Sequence, residues 1–284
     1  MAVILTLLLI VTFIANYLTT SLPNTMGQND LQHEVQVQNQ VAQLSALLQA
    51  IAANEEVGAQ VSQPVSLGSQ GAPPFAVQDG SSLLPLANLN NKTGNYPQTN
   101  VSFSLQGVTA PVVLTGTAGF TVRMHNTYAP SAEVAYDQGA VVFVQPGSLP
   151  IFASPPAVTL VSKVLTLFVP LFANGVSGES GTGTAELNLR LLSVTSLTLP
   201  ANGISFVSGS KINVTIVSPY VAAWYAFFQS NSAFAPYLVS CTGSNKVCTA
   251  LYQTGGPLGT IKLSFPTSGL TLNLLTGFYS IAVN

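Results

Sequence analysis

The chain begins with an uninterrupted apolar stretch. Residues 2–18 contain one strongly polar side chain, that of Asn16. A helix rises 1.5 Å per residue, so this stretch, extended by two residues, just crosses the roughly 30 Å hydrocarbon core of a bilayer. The pattern predicts a helix that can sit in a membrane. A cleaved secretory signal peptide fits less well, because no basic residue precedes Lys92 and no small-residue cleavage site follows Leu18.

A second helical pattern follows a short break. Pro23 removes a backbone donor and Gly27 loosens the chain, so Ser21–Gly27 is predicted to form a kink or a melted turn. From about Gln28 to Asn54, an amphipathic helix is predicted, because apolar residues recur every three or four positions. They form one narrow seam, which consists of Val37, Val41, Leu44, Leu48 and Ile51. The seam has two interpretations: it lies against the chain's own globular domain, or it packs against identical helices of other subunits.

The spacing of apolar residues changes after residue 54. Residues 55–98 are rich in Gly, Pro, Ser, Gln and Asn without a steady period, which predicts an extended connector on the surface of the head. From residue 99 to 284, apolar β-formers often alternate with polar residues, which predicts a mostly antiparallel head of β-sandwich type. The strands are predicted at Val101–Leu105, Val112–Leu114, Phe120–Met124, Ala140–Gln145, Val158–Phe168, Ala185–Val194, Lys211–Val217, Thr260–Phe265 and Phe278–Val283. The fold class is therefore α+β, with helices in residues 1–54.

One segment of the head breaks the strand pattern. Ser218 is a plausible N-cap and Pro219 a plausible first residue of a short helix that reaches Phe228. Helical spacing places Tyr220 and Trp224 on one face together with Phe227 or Phe228. We expect this aromatic face to pack against the sheet.

Charge is scarce in this chain. Asp, Glu, Lys and Arg make up 6% of the residues, against roughly 25% in ordinary soluble domains. The net charge is −2 with no cluster of either sign, so nucleic acid is not expected as a partner. Because few groups can titrate, the stability of the protein is predicted to depend little on pH.

The two cysteines and three sequons concern modification of the chain. Cys241 and Cys248 are separated by a turn-forming stretch, which predicts a local disulfide and an oxidising compartment. Three Asn-x-Ser/Thr sequons permit N-glycosylation, at Asn91, Asn100 and Asn213.

The residues that could perform catalysis are few. Asp30, His33 and Glu34 share one helical turn and could bind a metal, but acidic residues near a helix start are more simply a solvated terminus. The head has one ionisable cluster, which is explained as a salt-bridged patch and consists of Arg123, His125, Glu133 and Asp137. The sequence contains no phosphate loop, zinc spacing or nucleophile elbow. We therefore predict that the protein is not an enzyme and has no cofactor or metal site.

The order of these parts resembles archaeal type IV pilins and the related archaellins. Residues 1–54 match their apolar N-terminal helix and its amphipathic continuation, which a β-rich head follows. The Ser218–Tyr220 helix start, followed by Trp224 and a Phe pair, is similar to a helix of pilin-like archaeal surface proteins. Leu5 stands where many bacterial pilins have Glu, which fits archaeal members. The head is larger than in minimal archaeal pilins, which leaves a specialised or adhesive role open.

The resemblance implies a structural subunit of an extracellular filament. In that superfamily a leader peptidase removes a short basic leader directly before the apolar helix, which would account for the lack of basic residues ahead of Met1. The implied partners are identical subunits in a helical homopolymer, the membrane before assembly, the leader peptidase and the pilus assembly machinery. The seam and the apolar helix would form the filament core, the latter through Val3, Leu5, Leu8, Leu9, Val11, Phe13 and Ile14.

Two other functions stay open at the sequence level. One is a single membrane-anchored protein of the cell surface or S-layer, in which the second helix is a stalk. The other is an archaellin-like subunit of a motility filament, which would use the same helix.

Overall fold

The chain folds as a long N-terminal helix followed by a mostly antiparallel β domain with one short α-helix, which confirms the α+β class. The computed structural model describes residues 2–73, 76–85, 100–106, 108, 112–117, 119–173, 178–200, 206–207, 211–242 and 259–284.

The N-terminal helix is continuous across the expected break. Helix α1 spans Ala2–Asn16, a π-helical turn spans Tyr17–Ser21, and α2 spans Leu22–Ala53. The Leu22 N–H bonds the carbonyl of Tyr17, five residues back. This wider turn lies directly before Pro23, which has no N–H for the usual bond to the carbonyl four residues back. The expected melted turn is therefore wrong, because the helix absorbs the proline by widening one turn, whereas the kink stays a prediction.

The β domain contains two sheets. The described strands are β1 Gln60–Ser66, β2 Ser81–Pro85, β3 Asn100–Gln106, β4 Val112–Thr117, β5 Gly119–Met124, β6 Ala132–Asp137, β7 Ala140–Val144, β8 Ile151–Ser154, β9 Val158–Val161, β10 Val164–Phe172, β11 Glu179–Gly181, β12 Thr184–Leu199, β13 Lys211–Ser218, β14 Leu238–Thr242, β15 Gly259–Pro266 and β16 Thr271–Val283. The large sheet has the order β1-β12-β16-β10-β4-β3-β13-β15-β14, with β9 paired to β10. The small sheet has the order β11-β2-β5-β6-β7-β8. Every pair among these described strands is antiparallel except β10 with β16.

The region predicted as a surface connector contributes a strand to each sheet. β1 pairs with β12 at the edge of the large sheet, and β2 lies between β11 and β5 in the small sheet. Pro64 is tolerated in β1 because an edge strand needs ladder bonds on one side only. The sequence analysis missed this strand pairing within the predicted connector.

Two further strand predictions need correction. Val158–Phe168 is not one strand, because Ser162 and Lys163 adopt positive φ angles of 50° and 67° and reverse the chain between β9 and β10. The sequence analysis also missed β6, although every residue of this strand is buried.

The small sheet carries a helix on each face. On one face, Val134 and Tyr136 of β6 belong to the apolar cluster that contains the α2 seam. On the other face, Ala135 packs in a cluster with Tyr220 and Ala223. The last of these residues lies on helix α3, Val221–Ser230. The head therefore buries part of α2 as one of its core elements, whereas α1 contributes no buried residue.

Candidate assembly surface on the N-terminal helix

Helix α1 presents an apolar surface to its surroundings. All of its residues are exposed, and Val3 and Phe13 are 80% and 72% exposed to solvent. The residues predicted for the filament core share this exposure, namely Val3, Leu5, Leu8, Leu9, Val11, Phe13 and Ile14. Exposed apolar surface of this extent marks a site of contact with a membrane or another protein chain.

The threonine hydroxyl groups of this helix are paired within the helix itself. The Thr6 hydroxyl donates to the Ala2 carbonyl at 3.0 Å, and the Thr12 hydroxyl donates to the Leu8 carbonyl at 2.8 Å. The Asn16 side-chain oxygen accepts a hydrogen bond from the Thr20 hydroxyl at 3.4 Å. Hydroxyls that bond a carbonyl one turn back do not need water, so the helix can enter an apolar environment at low cost.

The apolar part of the helix has the length of a membrane span. Leu22 is the first buried residue, so residues 2–21 extend about 30 Å from the head at 1.5 Å per residue. Among the described residues, the helix Ala2–Ala53 is long and apolar enough to cross a membrane. This property is compatible with a membrane anchor or a signal sequence.

The seam of α2 lies inside the chain's own head. Val37, Val41, Leu44 and Leu48 are fully buried in the cluster that joins the two sheets, and Ile51 packs against that cluster. A hydrogen bond reinforces this contact, because the Tyr279 hydroxyl donates to the carbonyl of Leu48 at 2.6 Å. The prediction that the seam packs between subunits is therefore wrong. Its apolar periodicity is explained by contact with the head.

The opposite side of α2 forms a second, exposed surface, which we call the outer face. It consists of Asn24, Thr25, Gln28, Leu31, Gln32, Val35, Gln36, Asn39, Gln43, Ala46, Leu47, Gln49, Ala50 and Ala53. Leu31, Val35 and Leu47 are each between 44% and 55% exposed. The outer face carries no Asp, Glu, Lys, Arg or His. It continues the uncharged surface of α1 to the end of the helix.

The charged and imidazole side chains of the helix all point toward the head. Within Ala2–Ala53 these residues are Asp30, His33 and Glu34, and each is buried. The expectation of a solvated helix start is therefore wrong, since this turn lies inside α2 against the head. Charged side chains on a surface helix normally face water. Their inward placement leaves the exposed side of the helix uncharged.

The four-residue ionisable cluster of the head holds α3 to the small sheet. Arg123 and Glu133 form the expected salt bridge at 3.0 Å, and the Tyr220 hydroxyl donates to the other oxygen of Glu133. Asp137 accepts hydrogen bonds from the Ser218 hydroxyl at 2.6 Å and the Trp224 indole at 2.9 Å. His125 lies apart, exposed just beyond the end of β5.

Burial changes the proton affinity of Asp137. Its removal from water raises the pKa of the carboxyl to about 6, although the bonds from Ser218 and Trp224 lower it. Tyr220, Trp224 and Phe228 are buried, so the predicted core packing of the aromatic helix is confirmed. The cluster joins structural elements, and its bonds explain each of its members except His125.

The cysteines and sequons are only partly described. Cys241 is disulfide-bonded, and Cys248, the only other cysteine of the chain, lies outside the described residues. Asn91 also lies outside them, and Asn100 is the first residue of β3. Asn213 is half-buried in the middle of β13, opposite Ser264.

Comparison with family models, curated proteins and solved structures finds no match for this chain. Sequence reasoning identified the apolar residues of α1 but missed the outer face of α2. The available signal was the run of Gln, Asn and Ala opposite the seam.

Proposed function

We propose that the chain is a structural subunit of an extracellular filament of the archaeal type IV pilin kind. The subunits would assemble into a helical homopolymer through the N-terminal helix, and the β heads would form an outer layer that adheres to surfaces. The observation that carries this proposal is the continuous, exposed and uncharged surface formed by α1 and the outer face of α2.

The energetics favour a covered helix. Burying one Leu, Val or Phe side chain contributes about 1.5–3 kcal/mol, and α1 exposes a long series of such residues. A membrane would cover α1 before assembly, and the helices of neighbouring subunits would cover it afterwards. A repeated head-to-tail contact that does not close on itself generates a filament.

The outer face of α2 favours a filament subunit over a single membrane-anchored protein. A bilayer covers about 30 Å of helix, which residues 2–21 already supply. The outer face therefore lies beyond the membrane, where an anchored stalk would be in water. Neighbouring helices in a filament would contact Leu31, Val35 and Leu47, and the glutamine amides between them would form hydrogen bonds without introducing buried charge.

The alternative functions use the same apolar helix. A single cell-surface or S-layer-associated protein would bury only α1, in the membrane, as the span-like composition allows. An archaellin-like motility filament would bury the same surfaces as an adhesive pilus. Under any of the filament functions, the leader peptidase and the assembly machinery would be partners before assembly.

A pair of matched variants tests the proposal. Val35 on the outer face is 55% exposed, and Val57 beyond the helix is 61% exposed, so an Asp at either position is compatible with the isolated fold. We expect Val35→Asp to abolish filaments in material sheared from the producing cells, because it places an unpaired charge between helices. Val57→Asp should leave them intact. Normal filaments from Val35→Asp would contradict the proposal, and wild-type protein that stays with the membrane as single particles would favour the anchor.

A further inference from the structure

Two acidic side chains of α2 contact one loop of the head. Asp30 accepts hydrogen bonds from the backbone N–H groups of Tyr128 and Ala129, each at 3.2 Å. One turn later, Glu34 accepts a hydrogen bond from the Asn126 side-chain amide at 2.7 Å. All of these loop partners lie in residues 125–131, between β5 and β6. Two carboxyl groups of α2 therefore hold one loop against the helix.

The same loop is also held by Asp79, which precedes β2. Asp79 accepts hydrogen bonds from both the backbone N–H and the hydroxyl of Thr127, each at 2.6 Å. A nitrogen of the His33 ring lies 3.0 Å from the carbonyl of Ser66 in β1. We call this arrangement the junction, and it consists of Asp30, His33, Glu34, Asp79 and residues 125–131. On α2 it lies about two turns after Leu22, the first buried residue of the helix.

We propose that the junction is a pH-sensitive clasp, which holds the helix to the head when Glu34 is protonated and loosens when Glu34 becomes an anion. Asp30 lies one turn away on the same side of α2, so ionisation of Glu34 places two negative groups together in a buried space. A neutral Glu34 keeps an oxygen that accepts the Asn126 bond. This inference concerns the single chain and is independent of filament assembly.

The burial of Glu34 sets the direction of the switch. Burial raises the pKa of Glu34 to about 7, with the charge of Asp30 adding to the rise and the Asn126 bond opposing it. The stabilisation is therefore fully present below the ordinary pKa of 4.5 and is lost as the pH rises through about 7. The titratable groups on the loop side of the junction are Asp79, His125 and Tyr128.

His33 opposes this dependence. Burial lowers the pKa of His33 more than the Ser66 carbonyl and Asp30 raise it. Its contribution is present above pH 6.5 and is lost as the pH falls through the lowered value. A comparison of the wild type with Glu34→Gln isolates the contribution of Glu34, because His33 is common to both proteins.

Hydrogen exchange of the full-length chain in detergent micelles tests the clasp. We measure the protection factors of residues 125–131 at pH 5 and pH 8, corrected for the intrinsic exchange rates, with strand β13 as an internal control. We expect protection to fall at least tenfold in the wild type at pH 8 and less than threefold in Glu34→Gln. Equal protection at both pH values in the wild type, or an equal loss in the variant, would overturn the proposal.

A second measurement needs no variant. Carbon-13 NMR of labelled glutamate carboxyl groups in the wild-type protein follows the ionisation of Glu34 directly. A midpoint near pH 7 that coincides with the loss of loop protection supports the clasp. A midpoint below pH 5 would overturn it even if Glu34→Gln fails to fold.

Discussion

The Tyr279 hydroxyl in the last strand donates a hydrogen bond to the carbonyl of Leu48 in α2, across 231 positions of the chain. Both residues are buried in the cluster that joins the two sheets. The N-terminal helix and the C-terminal strand therefore complete one core. Because the helix is part of that core, its two sides have different roles: one stabilises the head, and the other is exposed along its length.

Substitutions on the two sides of α2 are predicted to have different effects on stability. Leu44 is fully buried, whereas Leu47 is 44% exposed on the outer face. Leu44→Ala should lower the free energy of unfolding by about 2–5 kcal/mol, because it leaves a cavity in the core. Leu47→Ala should change it by less than about 1 kcal/mol. Urea unfolding of both variants in detergent checks this, and equal losses would contradict the assignment of the seam to the head.

Asp137 is expected to make the free energy of unfolding depend on pH. Its pKa is raised to about 6 in the folded chain against 3.8 ordinarily, so its stabilisation is present below pH 3.8 and is lost as the pH rises through 6. Asp137→Asn retains an acceptor for Ser218 and Trp224 but cannot ionise. Between pH 4 and pH 7, the free energy of unfolding of the wild type should fall by about 2–3 kcal/mol relative to that of this variant.

The measurement for Asp137 is a pair of urea unfolding series across that pH range. Glu34 and His33 contribute equally to both proteins, so the difference between the two curves reports Asp137 alone. A difference that does not change with pH would show that the carboxyl is not neutralised by burial. It would also restore the simpler expectation, from composition, that stability depends little on pH.

Gly27 gives a prediction opposite to that of the sequence pattern. It is α-helical, and an added Cβ would lie 3.5 Å from the carbonyl oxygen of Tyr128, which is an ordinary contact. Gly27→Ala should therefore raise the free energy of unfolding by about 1 kcal/mol, because alanine favours the helix. Thermal melts of the two proteins measure the change. A decrease would indicate that the helix needs a flexible residue at this position, as a kink requires.

The sequence predicts the local elements of this fold better than their partners. The spacing of Val37, Val41, Leu44 and Leu48 identified one apolar side of α2, but periodicity does not reveal which surface covers it. The aromatic face of α3 was predicted correctly, because Trp224 and Phe228 have too much apolar surface to remain exposed.

There are physical reasons why the sequence analysis missed some elements. β1 contains Gln, Ser and Pro64, and its strand character depends on pairing with β12 rather than on local preference. β6 contains Glu133 and Asp137, which suggest exposure until Arg123, Ser218 and Trp224 are known to bond them. The outer face was missed because glutamine and alanine on a helix do not by themselves indicate contact with other chains.

The central claim is that Ala2–Ala53 forms the core of a filament while its seam stays within the head. Electron cryomicroscopy of material sheared from cells tests this most directly. The account predicts filaments in which this chain repeats with α1 at the axis, with Leu31, Val35 and Leu47 against neighbouring helices and with Leu44 inside its own head. The contradicting result is protein that remains with detergent-extracted membranes as separate particles whose outer face contacts only water.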